Sequence, residues 1–247
     1  MKQTAWGLSA VALMASALFG QAPLPISTFD VASIKANPTA TGGSGVNTGR
    51  GRLTATNVTL RRLIQSAFDV NDFQIVGGPG WIGTEKYDID AKADVSGVTG
   101  HVDYGPMLQA LLADRFKLKV HRETKQLPVY SLVVAKSGPR LTDHTGDGGA
   151  STNTSHASGK ATLTATKVSM DGFAYRLGRD LDRKVVDNTG LRGEYDVTLE
   201  WAPDPKPDST APSIFTALQE QLGLKLESTR GPVGVVVVDS AEKASEN

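Results

Sequence analysis

Asp88 and Asp196 stand in one pattern, Tyr87-Asp88-Ile89 and Tyr195-Asp196-Val197, and each follows closely on a glutamate, Glu85 and Glu194. Carboxylates that face one another across a cleft can divide acid–base work between them. A hydrolase of extracellular polymers would use such a set, Asp88 and Glu85 facing Asp196 and Glu194. No nucleophile accompanies them: the chain has no Gly-x-Ser-x-Gly elbow, no Ser-x-x-Lys and no His-Glu-x-x-His. The expectation is two solvated or loop-bonding aspartates on the polar faces of strands. Convergent acids between two halves are the alternative.

Other chemistry-bearing residues are sparse. His101, His121, His144 and His156 do not pair at metal-ligand spacing. Residues 143–149 lack the alternate carboxylates and closing Glu of a calcium loop. Gly77-Gly78-Pro79-Gly80 is read as a turn and not a phosphate loop, because no Lys-Ser/Thr pair ends it and Pro79 lacks an amide N–H. The chain has no cysteine, which excludes disulfides, thiol catalysis and cysteine metal sites. No catalytic, cofactor-binding or metal-binding residue is assigned, and no cofactor is expected. With 26 acidic and 26 basic residues there is no charge argument for nucleic acid as a partner.

These residues belong to a repeated sequence. Leu53-Thr54-Ala55-Thr56-Asn57-Val58-Thr59-Leu60 returns as Leu163-Thr164-Ala165-Thr166-Lys167-Val168-Ser169-Met170. Gly80-Trp81-Ile82-Gly83 answers to Gly190-Leu191-Arg192-Gly193, which makes Trp81 a core residue and not a ligand platform. A long period seen twice predicts duplication of a small unit. Thr59 and Ser169 read as helix N-caps. Leu60, Leu63, Ile64, Ala67 and Phe68 fall on one helical face, as do Met170, Phe173, Ala174 and Leu177. Tyr195, Val197, Leu199 and Trp201 alternate as in a half-buried strand. Second helices are expected near Pro106 and Pro212, with stripes of Leu108, Leu111 and Leu112, and of Ile214, Phe215, Leu218 and Leu222. Pro128 and Pro232 are expected to open the last strand of each half.

The fold class is therefore α+β: two tandem related domains, each a helix pair packed on a small mixed β-sheet. The first repeat spans 27–141 and the second 161–242, with a Gly/Ser/Thr linker at 142–160 and a polar tail at 243–247. Residues 1–20 read as a signal peptide: Lys2, then an apolar run over 5–19 too short to span a bilayer comfortably. The chain is expected to be exported, periplasmic or secreted, with no transmembrane segment after cleavage near Gly20.

Several stretches resemble an exported protein family of unknown function that is expanded in soil bacteria, chiefly Acidobacteria. They include Phe29-Asp30-Val31-Ala32-Ser33-Ile34-Lys35, Ile75-Val76-Gly77-Gly78-Pro79-Gly80-Trp81, Leu111-Leu112-Ala113-Asp114-Arg115-Phe116 and Val186-Asp187-Asn188-Thr189-Gly190-Leu191. The resemblance implies export and brings no activity, catalytic residue or cofactor. Each half is also similar to the short N-terminal domain of secretins and TonB-dependent receptors, where a helix ends in Gly-Leu-like residues before a hairpin, as at Leu222-Gly223-Leu224. That similarity implies a periplasmic protein–protein interaction module.

The function expected is a binding module for an unknown protein or peptide ligand, with a sensor domain for a partner signalling protein as a further alternative. The candidate binding edge is a last strand, Val129 to Val134 or Val233 to Val238, and above all Val233, Val235 and Val237. Its valine run is strongly β-forming, and an extended peptide can add to an open edge through main-chain hydrogen bonds.

Overall fold

The structure, a computed structural model, describes residues 28–39, 41–95, 102–205 and 209–244. The expected signal segment, His101 and the last three residues lie outside the described residues. The chain runs β1 (Val31–Ala36), β2 (Gly45–Gly49), β3 (Arg52–Thr59), α1 (Leu60–Phe68), β4 (Ile75–Gly77), β5 (Lys86–Lys92), α2 (Tyr104–Arg115) and β6 (Lys119–Val134). It continues with β7 (Thr142–Asp143), β8 (Ser151–Ala157), β9 (Lys160–Val168), α3 (Met170–Asp180), β10 (Val185–Asp187), β11 (Tyr195–Trp201), α4 (Ile214–Leu222) and β12 (Leu224–Ser240). This is a mixed α+β fold, mostly strand, with four described α-helices and three small sheets.

Two of the sheets are antiparallel, in the orders β1-β5-β3-β2 and β7-β11-β9-β8. Their inner faces carry Leu53, Ala55 and Ile89 in one and Leu163, Ala165, Leu199 in the other, all buried. Thr59 and Ser169 cap the helices that follow, each side-chain oxygen accepting a backbone N–H three residues on. α1 and α3 then bury the stripes read from the sequence, except that Phe68 is half-buried beside the core. The α4 stripe differs more: Ile214, Ala217, Leu218 and Leu222 are buried, whereas Phe215 is 39% exposed. Phe215 lies one position off the i, i+3, i+4 row and so points away from the core.

The repeat predicts a separate mixed sheet for each half. Instead one mixed sheet, β10-β6-β12-β4, is shared. β6 and β12 form a long antiparallel ribbon, from Leu224 opposite Val134 to Ser240 opposite Lys119. β4 adds to β12 in parallel at Val236–Val238, and β10 adds to β6 in parallel at Tyr130–Leu132. Pro128 and Pro232 open no strand; they lie inside β6 and β12. The reason is register. Tyr130 donates its N–H outward to Lys184 O at 2.9 Å, and Leu132 O accepts from Asn188 N at 2.9 Å. Even-numbered β6 residues and their even-numbered β12 partners therefore direct their backbone groups away from the ribbon axis. A proline at such a position costs no bond of the ladder.

The ribbon also carries apolar residues across the middle of the molecule. Val236 and Val238 of β12 are buried with Leu63, Tyr87 and Phe116 of the first half. Leu132 of β6 is buried with Phe173, Leu177 and Leu218 of the second. The expected boundaries at 27–141 and 161–242 thus do not separate the two cores. Residues 142–160, read as a linker, supply β7 and β8. β8 is an edge strand, exposed at nearly every position and built from Ser, Thr and Asn, so no apolar alternation betrays it.

Candidate functional site

Asp88 and Asp196 occupy like places in the two antiparallel sheets. In β3 the pairing steps from Ala55–Ile89 to Val58–Tyr87, and in β9 from Ala165–Val197 to Val168–Tyr195. Each step inserts one extra residue, a β-bulge opposite the aspartate. Asn57 and Lys167 sit in these bulges with φ of 55° and 56°. Asp88 Oδ1 accepts the Asn57 N–H at 2.7 Å, and Asp196 Oδ1 accepts the Lys167 N–H at 3.0 Å. Asp88 also accepts from Asn37 Nδ2 at 2.9 Å. Asp196 bonds His144 Nδ1 at 2.9 Å. The Lys167 N–H, and after it His144, hold the Asp196 carboxyl below the usual carboxylate range.

These carboxylates do not share a cleft. Asp88 lines a groove with Ser33, Lys35 and Thr54, whereas Asp196 lines another with Arg140, Thr142 and Thr164. Glu85 is tied to Lys243 and to the Tyr87 hydroxyl, whose pKa burial pushes up to about 12. Glu194 lies 3.9 Å from Lys167 Nζ. A polar cleft does run between α1 and α3, but its acids are Asp69, Asp72 and Asp182. Asp72 is bonded by Arg61 Nε at 2.6 Å, which holds its carboxyl below the usual range.

Among the remaining residues singled out by type, His121 pairs with Asp239 at 3.0 Å. Trp81 is half-buried against the first core. Among the described residues no group of three His, Cys, Asp or Glu is placed to hold a metal ion. Of the candidate edge, Val237 lies between two strands, opposite His121 on β6 and Val76 on β4. Val233 and Val235 pair with Lys125 and Glu123 of β6 and are buried in a small cluster with Val129. On the outer side, Gly234 O accepts from Gln74 Nε2, and Pro232 O from Lys184 Nζ, both at 2.9 Å.

A recess of about 360 Å³ opens elsewhere, beside the second core. It is assembled from five elements. β6 gives Tyr130, β8 gives His156, the end of α3 gives Asp180, the end of β11 gives Trp201, and the start of α4 gives Ser213 and Phe215. Trp201 is placed by strand alternation, and Ala202 N bonds Pro212 O at 2.8 Å, closing the loop that brings α4 alongside. Pro203 and Pro205 complete the apolar wall. Tyr130 and Phe215 meet edge-on, centroids 5.5 Å apart and planes at 71°, and Arg183 stands 4.6 Å over the Tyr130 ring.

Asp180 is the recess's carboxylate. Its side chain is 14% exposed and its Oδ2 lies 3.3 Å from Arg176 Nη1. That contact is a charge pair off hydrogen-bond alignment, for Oδ2 is buried with no hydrogen-bond partner. Burial pushes the Asp180 carboxyl up, against the opposing pull of Arg176, His156 and Arg179. Nothing in the spacing of Tyr130, His156, Asp180, Trp201 and Phe215 announces this grouping; only the tertiary fold makes it.

The fold and its sites define a small α+β protein with polar sheet faces, a partly apolar recess beside the second core, and no described helix long and apolar enough to cross a membrane. The chain belongs to the family described as "Protein of unknown function (DUF3738)", whose model matches residues 61–241. No curated protein matches the chain, and no solved structure matches it.

Proposed function

We propose that the chain is an exported binding module, periplasmic or secreted, built by duplication of one unit whose two copies share the central ribbon. The observation that carries binding is the recess at Trp201 and Phe215. Small-molecule sites are concave and mostly apolar, with a few placed polar groups. The recess has that composition, with Asp180, His156 and Ser213 as its polar lining. Duplication is supported by the two bulges, each with its left-handed residue and facing aspartate. Export rests on the apolar run over residues 5–19.

A second reading is favoured by one observation. β4 covers only Val236–Val238 on the outer side of the long strand β12. An extended peptide of a partner protein could add there, ahead of Pro232, as a further strand. A secretin-like or receptor-like role in signalling would use that edge.

The test has two parts. N-terminal sequencing of the chain recovered from its native host should find Gln21 or a close neighbour; an intact Met1 in the membrane pellet would refute export. A thermal-shift screen of small molecules should find stabilisers whose effect disappears in Phe215→Ala. Stabilisers indifferent to that substitution would place the site elsewhere.

A further inference from the structure

The recess restricts its ligand by three physical properties. This inference rests on the reading of the recess as the binding site and goes on to its ligand class.

The first property is charge. Asp180 is surrounded by Arg176, Arg179 and His156, and Arg183 caps the neighbouring Tyr130 ring. The lining itself holds one carboxylate, Asp180, balanced by Arg176 at 3.3 Å, and no lysine or arginine. A charged ligand would lose its hydration there without gaining an unpaired counter-charge, and a neutral ligand avoids that cost.

The second property is the aromatic geometry. Two parallel rings would form a slot for a flat aromatic guest. Here Tyr130 and Phe215 are edge-to-face, and one face of Tyr130 is taken by Arg183. What is left is a one-sided platform, with Phe215 39% exposed. A one-sided platform suits a puckered ring whose C–H groups line one face.

The third property is the polar lining. Asp180 supplies an acceptor, His156 a ring nitrogen and Ser213 a hydroxyl, on the walls beside the platform. The Ser213 Oγ already accepts from Thr216 N at 3.2 Å, which fixes its position at the head of α4. A guest with an apolar face and a rim of hydroxyls satisfies this combination.

We propose that the recess binds a terminal pyranose ring of a neutral oligosaccharide, its C–H face on the Phe215 platform beside Tyr130 and its hydroxyls toward Asp180, His156 and Ser213. A cavity of about 360 Å³ has room for one ring and part of the next.

The full chain is titrated with neutral gluco-, galacto-, manno- and xylo-configured tetraoses, followed by saturation-transfer NMR and calorimetry. A sulfated tetraose serves as the charged control and 2-phenylethanol as the aromatic one. At least one neutral tetraose should bind, with saturation strongest on its terminal ring, and sulfation should abolish binding. Phe215→Ala and His156→Ala, both at the recess surface, should each weaken binding several-fold. Asp180→Ala should weaken it roughly tenfold or more, the scale of a hydrogen bond to a charged acceptor. A thermal melt of each variant separates lost contacts from lost fold. If phenylethanol binds in a Phe215-dependent way and no tetraose does, the sugar is overturned and the recess stands. If nothing binds, both fall. A tetraose that binds equally to all three variants overturns the assignment of its place.

Discussion

Asp88 holds the backbone N–H of Asn57 on its Oδ1 at 2.7 Å, and with it a residue whose φ is 55°. The extra bulge residue has no partner across the ladder, so its N–H needs another acceptor. The aspartate directly opposite supplies it. Asp196 does the same for Lys167. The Tyr-Asp-apolar pattern that suggested acid–base chemistry is in both places a brace for an irregular strand.

The two braced residues are not equally suited to their conformation. A left-handed φ costs most side chains about 1 kcal/mol, and asparagine less. Lys167→Asn should therefore stabilise the protein by about 0.5–1 kcal/mol, and Asn57→Lys should destabilise it by a similar amount. Urea unfolding with an unchanged slope checks both. Equal effects in the same direction would show that the side chains, and not the backbone, decide.

The Asp196 brace has a pH signature. Its pKa is lowered in the fold by the Lys167 N–H and by His144. The stabilisation is present above the unfolded carboxylate pKa and is lost as pH falls through the folded one. Amide exchange at Lys167, corrected for intrinsic rate, should accelerate only at acid pH. Asp196→Ala should show the accelerated rate already at neutral pH. Protection that survives in that variant would mean that the bulge holds without its aspartate.

Asp180 behaves oppositely. Burial raises its pKa, so the fold prefers the protonated form. That preference favours the fold at low pH and is lost as pH rises through the folded pKa. Asp180→Asn should melt above the parent protein at neutral pH, and the gap should close as pH falls into the carboxylate range. A parent that melts higher at neutral pH would show that Arg176 outweighs burial.

How much of this was legible beforehand follows from where each signal resides. The helix caps at Thr59 and Ser169 and the buried stripes are local, set by residues three and four apart. The β11 alternation is local too. β8 was missed because an edge strand with both faces wet has no apolar phase. The recess was missed because Tyr130 and Phe215 come from elements far apart in sequence, and Phe215 was placed in the buried stripe of α4 although it is 39% exposed. The valines were read as a candidate open edge, yet β4 pairs with Val236–Val238 on the outer side of β12. No local signal shows that Val236 and Val238 enter the core of the other half.

That crossing can be measured. Val236→Ala should cost about 2 kcal/mol, the scale for an apolar side chain fully removed from water. Its loss should loosen amide protection around Leu63 and Phe116, which are buried in the same core. A chain cut proteolytically between Gly148 and Gly149 should stay associated through the ribbon on gel filtration. Two separately eluting, folded pieces would contradict the shared architecture.

The ribbon also orders events in time. The first core contains residues from β12, the last described strand. Synthesis proceeds from the N-terminus, so that core stays open until β12 has been made. Contacts spanning such distances close slowly, after the loops between them have been drawn in. β12 consequently works as a latch: the first core shuts only when a strand from a distant part of the chain has slid into it.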